Sequence, residues 1–231
     1  MTTPVRRQLS LVLAFTVLTV RLAAGPWEPL FNGFDLTGWK VVNGTAPYVV
    51  ADGAITGTTV AGSPNSFLVT EKPYGDFIFE CEVRQAVGPS NSGIKYLVAP
   101  ASAGEPVGFE FQLLDDERHP DAKQGRDGNR TTGSLYDLIP RAKMPGGAAI
   151  PPKAGAWQHA RIVVTSGGPV EHWLNGIKVV EYERSSPDFA ARVAVSKYAQ
   201  LAGFGLAEQG PILLQDHGDV VRFRSIKIRK L

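Results

Sequence analysis

Short runs in which apolar and polar residues alternate recur along the chain, and this period of two is typical of β-strands. In the run Phe77–Arg84, the Phe, Cys and Val side chains fall on one face, while Ile, Glu and Arg fall on the other. The first face is predicted to pack in a core, and Cys81 on it is interpreted as a small buried hydrophobic residue. The pattern predicts strands at Tyr48–Ala51, Ala54–Thr58, Phe67–Thr70, Asp76–Arg84, Gly93–Ala99, Gly108–Leu114, Gly133–Leu138, Trp157–Ser166, Val170–Leu174, Ile177–Glu183, Ile212–Gln215 and Val220–Arg229.

Two local signals add a hairpin and a helix. Asn175-Gly176 lies between two apolar runs, and both residues tolerate the positive φ that a type I′ turn requires. One helix is predicted over Pro187–Lys197, because Ser186 can cap it and proline is favoured at the first helical position. Many antiparallel strands with one short helix predict an all-β domain over residues 25–231. Its two antiparallel sheets are expected to form a sandwich or jelly roll.

The first 24 residues have the features of a secretory signal peptide. Arg6 and Arg7 form a basic segment, the run Leu9–Val20 is almost entirely apolar, and small residues follow at Ala23 and Ala24. The apolar run is shorter than the roughly 20 residues that a membrane-spanning helix needs. We therefore expect cleavage near Ala24, export to the periplasm or the extracellular medium, and no stable membrane insertion.

Composition and charge narrow the classes of function. The 231 residues are 43% apolar and 20% charged, which excludes a disordered chain. The formal net charge is +2, and it becomes −1 when the predicted signal peptide and its three arginines are removed. The mature chain thus has no basic excess of the kind that binds nucleic acid. The single cysteine excludes an internal disulfide framework and a thiolate metal cage.

Polar side chains that interrupt the apolar pattern are candidates for a functional site. Glu110 and Gln112 project from one face of a run whose other face is aromatic and aliphatic. A Glu beside a Gln can serve as an acid or base next to a reader of sugar hydroxyls, although a solvated sheet face gives the same alternation. Asn91 and Lys95 share a strand face in the same way. Lys95 can stabilise an anionic or enolate oxygen, or it can pair with Glu82 across a sheet.

Histidine, of which the chain has four, supplies further candidates. His217 follows Gln215 and Asp216 in a polar turn, where it can act as a general base or a metal ligand or simply lie at the surface. His119 lies in a long loop that can close over a ligand. His172 alternates with an outward-facing tryptophan and is interpreted as structural.

Several motifs occur together, in order, over about residues 27–231, and their combination resembles the 3-keto-disaccharide hydrolase family of exported bacterial proteins. The resemblance implies a concanavalin-like jelly roll and activity on glycosides that carry a ketone at C3 of the sugar. It adds Tyr136 to the candidate substrate-binding residues. Lys95 stands where the family commonly has Arg, and Ser225 stands where Asn is usual. The motifs are Leu30-Phe-Asn-Gly-Phe-Asp-Leu-Thr-Gly-Trp39, Asn91-Ser-Gly-Ile94, Gly108-Phe-Glu-Phe-Gln-Leu-Leu-Asp115, Gly133-Ser-Leu-Tyr136, Trp173-Leu-Asn-Gly176, Ser196-Lys197 and Ile212-Leu-Leu-Gln-Asp-His-Gly218.

The chemistry that this resemblance implies needs few residues. A C3 ketone acidifies the C2 proton, so one base can remove it while hydrogen-bond donors stabilise the enolate oxygen. The glycosidic oxygen then leaves by elimination, and water adds back. We hypothesise that His217 is the base or a metal ligand and that Glu110 is the partner acid, base or ligand. A divalent cation of unknown identity is the candidate cofactor, and a sugar 3-oxidoreductase is the candidate source of the oxidised oligosaccharide or glucoside. The candidate substrate contacts are Asn91, Lys95, Gln112, His119, Tyr136 and Gln215.

Two other functions fit the same pattern. A noncatalytic lectin-like carbohydrate-binding domain is one, because sandwiches of this kind host both binding and catalysis. Trp39, Trp157 and Trp173 are its candidate sugar platforms, although we expect them to fill the core. A conventional glycosidase is the other, and it requires two carboxylates about 5–9 Å apart, for which Glu110 and Asp115 are available. We expect cleavage of 3-keto-glycosides in preference to both.

Overall fold

Two antiparallel sheets lie face to face, and most of their strands coincide with the alternating runs of the sequence. The computed structural model describes residues 24–58, 60, 62–99, 105–142 and 153–231. Residues 1–23 of the predicted signal peptide lie outside this range. An all-β sandwich with one short helix is confirmed. Within the described residues the elements are β1 Glu28–Pro29, β2 Trp39–Asn43, β3 Tyr48–Ala51, β4 Ala54–Gly57, β5 Ser66–Thr70, β6 Phe77–Gln85, β7 Asn91–Tyr96, β8 Phe109–Leu114, a 3-10 helix Pro120–Lys123, β9 Gln158–Val164, β10 Val170–Leu174, β11 Ile177–Tyr182, α1 Pro187–Ala194, β12 Leu213–Asp216 and β13 Val221–Lys230.

The two sheets differ in size and enclose one main core. Eight strands pair in the order β11-β10-β9-β6-β13-β4-β3, with β1 added beside β13, and five pair in the order β2-β5-β12-β7-β8. The predicted apolar face of β6 packs in this core together with residues of β7 and β8. Cys81 is buried in this core, which confirms that it is a small buried hydrophobic residue, and the burial raises the pKa of its thiol. No helix in the described ranges is long and apolar enough to cross a membrane.

One predicted strand is wrong. Gly133–Leu138 forms turns with isolated bridges at Leu135, because Gly133 and Asp137 have φ values of 85° and 61° that reverse the backbone. The segment still runs beside β8, since the backbone N–H of Tyr136 donates to a β8 carbonyl at 3.0 Å. The two strands that lie outside the predictions, β1 and β2, are a two-residue segment and a largely exposed one whose patterns are weak.

The predicted hairpin and helix are both present. Asn175-Gly176 has φ values of 51° and 81°, as a type I′ turn requires. Ser186 caps α1 by accepting a hydrogen bond from the backbone N–H of Phe189 at 3.1 Å. The helix ends before the predicted Lys197, because the backbone N–H of Lys197 donates instead to Oδ2 of Asp137 at 2.8 Å. This tertiary contact ties the end of α1 to the loop beside β8.

The tryptophans divide between the core and the outer surface. Trp39 is buried in the core, as expected. Trp157 and Trp173 are partly exposed beside the outer face of the eight-stranded sheet, so the expectation that they fill the core is wrong. Their rings are covered by cations: the guanidinium carbon of Arg224 lies 4.0 Å from the Trp157 ring centroid, and that of Arg161 lies 5.9 Å from the Trp173 ring. Outward-facing positions of these strands thus hold Trp–cation contacts.

A buried hydrogen-bond chain joins the two sheets through His172. Nδ1 of His172 lies 3.1 Å from the carbonyl oxygen of Gly133, so this nitrogen carries the proton and donates it. Nε2 is then the acceptor for the hydroxyl of Tyr96 at 2.7 Å, and the hydroxyl of Tyr182 lies 3.0 Å from that of Tyr96. Burial lowers the pKa of His172 to about 4. The ring is therefore neutral at neutral pH, in agreement with its predicted structural role.

We expect mild acid to destabilise the fold through His172. The imidazole of His172 takes up a proton near pH 6.5 in the unfolded chain but only near pH 4 in the folded chain. The free energy of unfolding therefore falls as the pH drops from 6.5 to 4, and the contribution of His172 levels off below this interval. The full effect is on the order of 3 kcal/mol, at about 1.4 kcal/mol per unit of pKa. Urea unfolding at pH 7, 6 and 5 measures it. The variant His172→Gln should show a shallower pH dependence, and an equal slope in the two proteins would contradict this account.

Candidate functional site

Neighbouring strands of the five-stranded sheet carry polar side chains on the face turned away from the core. β7 and β8 pair so that Lys95 lies opposite Glu110 and Gly93 lies opposite Gln112. β12, on the other side of β7, contributes Gln215. The intervening residues of β7 and β8 pack in the core, as alternation requires. The four polar side chains are nevertheless buried.

Gly93 forms the floor of the site. A Cβ atom at this position would lie 2.3 Å from Oε1 of Glu110 and 3.0 Å from Oε1 of Gln215. Both polar groups therefore lie directly above a backbone position that only glycine leaves open. The structure thus brings Glu110 and Gln215, which are far apart in sequence, together over one residue.

Two acceptor groups in the site have no hydrogen-bond donor among the described residues. Oε1 of Gln215 is buried and accepts no hydrogen bond. The carboxylate of Glu110 also accepts none, and its nearest cation is Nζ of Lys95, 4.0 Å from Oε2. Leaving a fully buried acceptor such as Oε1 of Gln215 unpaired is costly, so this oxygen is expected to have a partner. The hydroxyl groups of a ligand could donate to it and to the Glu110 carboxylate.

Lys95 is held in place by a segment outside the sheet. Its Nζ donates to Oε1 of Glu105 at 2.8 Å and to the carbonyl oxygen of Pro106 at 3.2 Å. Burial raises the pKa of Glu105, but the charge and the hydrogen bond of Lys95 outweigh burial and hold that pKa below its ordinary value. The alternative pairing of Lys95 with Glu82 is wrong, because Glu82 lies in the other sheet and pairs there with β13.

A second cation reaches the site from the segment after α1. Nζ of Lys197 lies 4.1 Å from the centroid of the Tyr136 ring. Lys197 is exposed as a whole residue, but the surroundings of its ammonium group are buried, and this burial lowers its pKa. The charge of Lys95 lowers the pKa further, while the charges of Glu110 and Glu105 raise it. Neither Lys197 nor Glu105 is identified by strand alternation, because both lie in loops. The family motif that contains Lys197 is the one signal that marks it.

The loop cluster that holds Tyr136 also contains His119. The hydroxyl of Tyr136 donates to Oδ2 of Asp121 at 2.8 Å, and Arg130 donates to Oδ1 of Asp121 at 2.8 Å. Nδ1 of His119 accepts a hydrogen bond from the backbone N–H of Asp121 at 3.2 Å and so caps the 3-10 helix. His119 is therefore placed to position Asp121, and through it Tyr136.

The remaining predicted residues lie around these groups. Nε2 of Gln112 donates to Oδ1 of Asn91 at 3.4 Å, so the two amides partly satisfy each other. His217 is exposed just after β12, and its charge is one of the influences that lower the pKa of Glu105. His217 and Glu110 form no hydrogen bond or ion pair with each other in the described part of the chain.

The acidic residues do not form a pair of open carboxylates. Asp115 is committed to a turn, because its carboxylate accepts from the backbone N–H groups of Glu117 and Arg118 and from the Arg118 guanidinium. In the described ranges, no three His, Cys, Asp or Glu side chains are grouped so as to hold a metal ion. Metal binding by Glu110 and His217 stays a prediction. The chemical resources of the site are one buried carboxylate, two ammonium groups and an unpaired amide oxygen.

Solved structures of other proteins share this sandwich. A Parabacteroides distasonis protein assigned as a glycosyl hydrolase matches with a TM-score of 0.75 at 32% identity, over 90% of this chain and 94% of the other. A Bacillus subtilis protein with a galectin-like fold matches with a TM-score of 0.56 at 13% identity, over 90% and 96% of the two chains. The second likeness shows the fold alone. The chain is thus a β-sandwich protein with galectin-like neighbours.

Comparison of sequences then identifies the family. The profile of the 3-keto-alpha-glucoside-1,2-lyase-like domain matches residues 26–229. A 3-keto-disaccharide hydrolase from Bacteroides thetaiotaomicron is 31% identical over an alignment of 246 positions, which covers 93% of this chain and 81% of that protein. The chain therefore belongs to the 3-keto-alpha-glucoside-1,2-lyase-like family, and the resemblance carried by the sequence motifs is confirmed.

Proposed function

We propose that this protein is an enzyme that cleaves the glycosidic bond of 3-keto-glucosides, including disaccharides, by C2 deprotonation, elimination and hydration. Family membership supports a keto-sugar substrate. The observation that carries the proposal is the Glu110 carboxylate, buried above Gly93, free of hydrogen bonds from the described residues and 4.0 Å from Nζ of Lys95. A base in this setting needs only a substrate with an acidic C–H bond.

The proposed reaction assigns one role to each charged group. Glu110 takes the C2 proton, and the electron pair passes to the C3 oxygen as an enolate, which the ammonium groups of Lys95 and Lys197 stabilise. When the ketone re-forms, the C1–C2 double bond forms and the C1–oxygen bond breaks. The leaving oxygen takes a proton from water, either directly or through His217 at the rim. The hydroxide that remains adds to C1, and the proton held by Glu110 returns to C2. The net reaction consumes one water and releases the 3-keto sugar and an alcohol.

The geometry favours this reaction over the two alternatives. A conventional glycosidase needs a second open carboxylate, and Asp115 is engaged by three donors of its own turn. A lectin-like domain needs open aromatic platforms, and the rings of Trp157 and Trp173 are covered by arginines. Release of the aglycone from a 3-keto-glucoside but not from its parent glucoside is the experiment that tests the proposal.

We expect Gln215→Ala to impair substrate binding without reducing stability. Oε1 of Gln215 has no donor in the described residues, so its removal leaves no protein group unpaired there. A substrate hydroxyl that pairs with this oxygen would lose one hydrogen bond, and KM should rise about tenfold. Steady-state kinetics and thermal unfolding measure the two effects. A fall in unfolding temperature with unchanged KM would mean that the amide is structural.

The predicted signal peptide extends the proposal to localisation. Export would place this activity in the periplasm or outside the cell, where an oxidoreductase acting at sugar C3 must supply the ketone. Mass spectrometry of the protein recovered from those fractions should find a mature N-terminus near Gly25, whereas a chain retained intact in the cytoplasm would contradict export.

A further inference from the structure

A row of cations lies on the side of the sandwich opposite Glu110. We call Arg222, Arg224, Lys227 and Arg229 of β13 the cationic row. They project outward from the eight-stranded sheet, and a bulge between Arg224 and Lys227 keeps them on one face. The ring of Trp27 packs against the end of the row at Lys227 and Arg229, with centroid distances of 4.6 Å and 4.7 Å. Trp157 packs against Arg224 nearer the other end, so an indole ring flanks each half of the row.

Carboxylates on this face compensate only part of the positive charge. On the central strands β6, β9 and β13, Glu80 pairs with Arg161 and Lys227, and Glu82 pairs with Arg224. These two carboxylates face six guanidinium or ammonium groups. Arg84, Arg222 and Arg229 are the three cations that pair with neither Glu80 nor Glu82.

The excess cations are placed where they destabilise the free protein. Arg84 lies directly opposite Arg222 in the β6–β13 pair, and like charges in such positions repel. The carboxylate nearest to Arg222 belongs to Asp52, 3.7 Å away and 87% exposed, so their attraction is weak. Nε of Arg229 is buried and makes no hydrogen bond in the described part of the chain. An anion bound along the row would offset the repulsion between Arg84 and Arg222 and would give Arg222 a closer partner than Asp52.

We propose that the cationic row binds an anionic polysaccharide whose sugars carry carboxylates. The row extends about 23 Å at roughly 3.3 Å per residue, a length that suits an extended chain better than a single small anion. The side chains of Arg222, Arg224 and Lys227 are 33%, 39% and 41% exposed, so they are accessible to such a chain. The choice of a glycan over other polyanions rests on the proposed function, since binding here would keep the catalytic site near a source of glycosides.

Binding of polygalacturonate, measured by calorimetry at low and at physiological salt, tests the proposal. The wild-type protein should bind it, and salt should weaken binding. The double variant Arg84→Gln/Arg222→Gln should bind about tenfold more weakly. Its unfolding temperature should stay close to that of the wild type, because the removal of a repulsive pair offsets the loss of the Arg84 contact with the Trp157 ring at 4.9 Å. The control Lys40→Gln/Lys72→Gln removes the same charge from exposed positions elsewhere and should bind as the wild type does.

Any of three results would overturn the proposal. The protein fails to bind polygalacturonate at low salt, it binds neutral dextran with equal affinity, or the Arg84/Arg222 double variant binds as tightly as the wild type. Binding of duplex DNA as tight as that of polygalacturonate overturns the choice of a glycan. Turnover of a 3-keto-glucoside is measured on the same variants and should not change, because the row lies across the sandwich from Glu110. Failure of the proposed function would instead appear as absence of turnover in the wild type.

Discussion

The variant Glu110→Gln is expected to lose about 10³-fold in kcat on a 3-keto-glucoside while it keeps its fold. The amide has the shape of the carboxylate but cannot accept the C2 proton, and removal of a general base costs about 10²- to 10⁴-fold. No hydrogen bond from the described residues holds the Glu110 carboxylate, so the substitution breaks none. Single-turnover kinetics with thermal unfolding measure both effects.

The exposed residue Glu117 offers a matched control for this variant. Glu117→Gln makes the same chemical change near the same sheet edge, outside the site, and should leave kcat unchanged. If Glu110→Gln keeps kcat within tenfold of the wild type, Glu110 is not the base. In that event His217, the other hypothesised base, becomes the residue to substitute.

Gly93→Ala is expected to reduce kcat/KM about 100-fold although it adds one methyl group. That group would lie 2.3 Å from Oε1 of Glu110, so the carboxylate must move away from the sheet. A displacement of about 1 Å at a reacting group costs about 10²-fold. The φ of Gly93 is outside the left-handed region, so alanine is compatible with the β7 backbone, and circular dichroism should show the strands intact.

Gly75→Ala provides the comparison for this substitution. Its Cβ would lie 3.3 Å from the carbonyl oxygen of Glu208, away from the site, so activity should be retained. Unchanged kcat/KM in Gly93→Ala would show that Glu110 does not need its place above Gly93. That result would remove the observation on which the proposed function rests.

Local patterns account for most of the sandwich. The apolar faces of β6 and β8 follow from alternation, because a half-buried strand must place every second side chain in the core. Alternation fails at Gly133–Leu138, where it predicts a strand that the structure does not contain. Its composition suits a strand, but the positive φ values of Gly133 and Asp137 turn it, and the tertiary bond from Lys197 to Asp137 ends α1 early. Contacts of this kind join segments distant in sequence, and no local pattern encodes them.

Some residues of the candidate site can likewise be predicted from local patterns, and others cannot. Glu110, Lys95 and Gln215 project from strands, so alternation predicts the face on which each lies. Glu105 and Lys197 arrive from loops, and only the folded chain brings them to the sheet. The role of Gly93 as the floor is also visible only in three dimensions, because it depends on two side chains above it. A sequence pattern thus finds the strand residues of this site but not the loop residues that complete its charge.

Release of a chromogenic aglycone from a 3-keto-glucoside and from the parent glucoside, measured under identical conditions, tests cleavage by C2 deprotonation. We expect release from the keto sugar alone, because only the ketone makes the C2 proton acidic enough for Glu110 to remove. In deuterated water, the released 3-keto sugar should carry deuterium at C2 if Glu110 exchanges its proton with solvent before hydration. Equal release from the parent glucoside, or saturable binding of the keto sugar with no release, would contradict cleavage by C2 deprotonation.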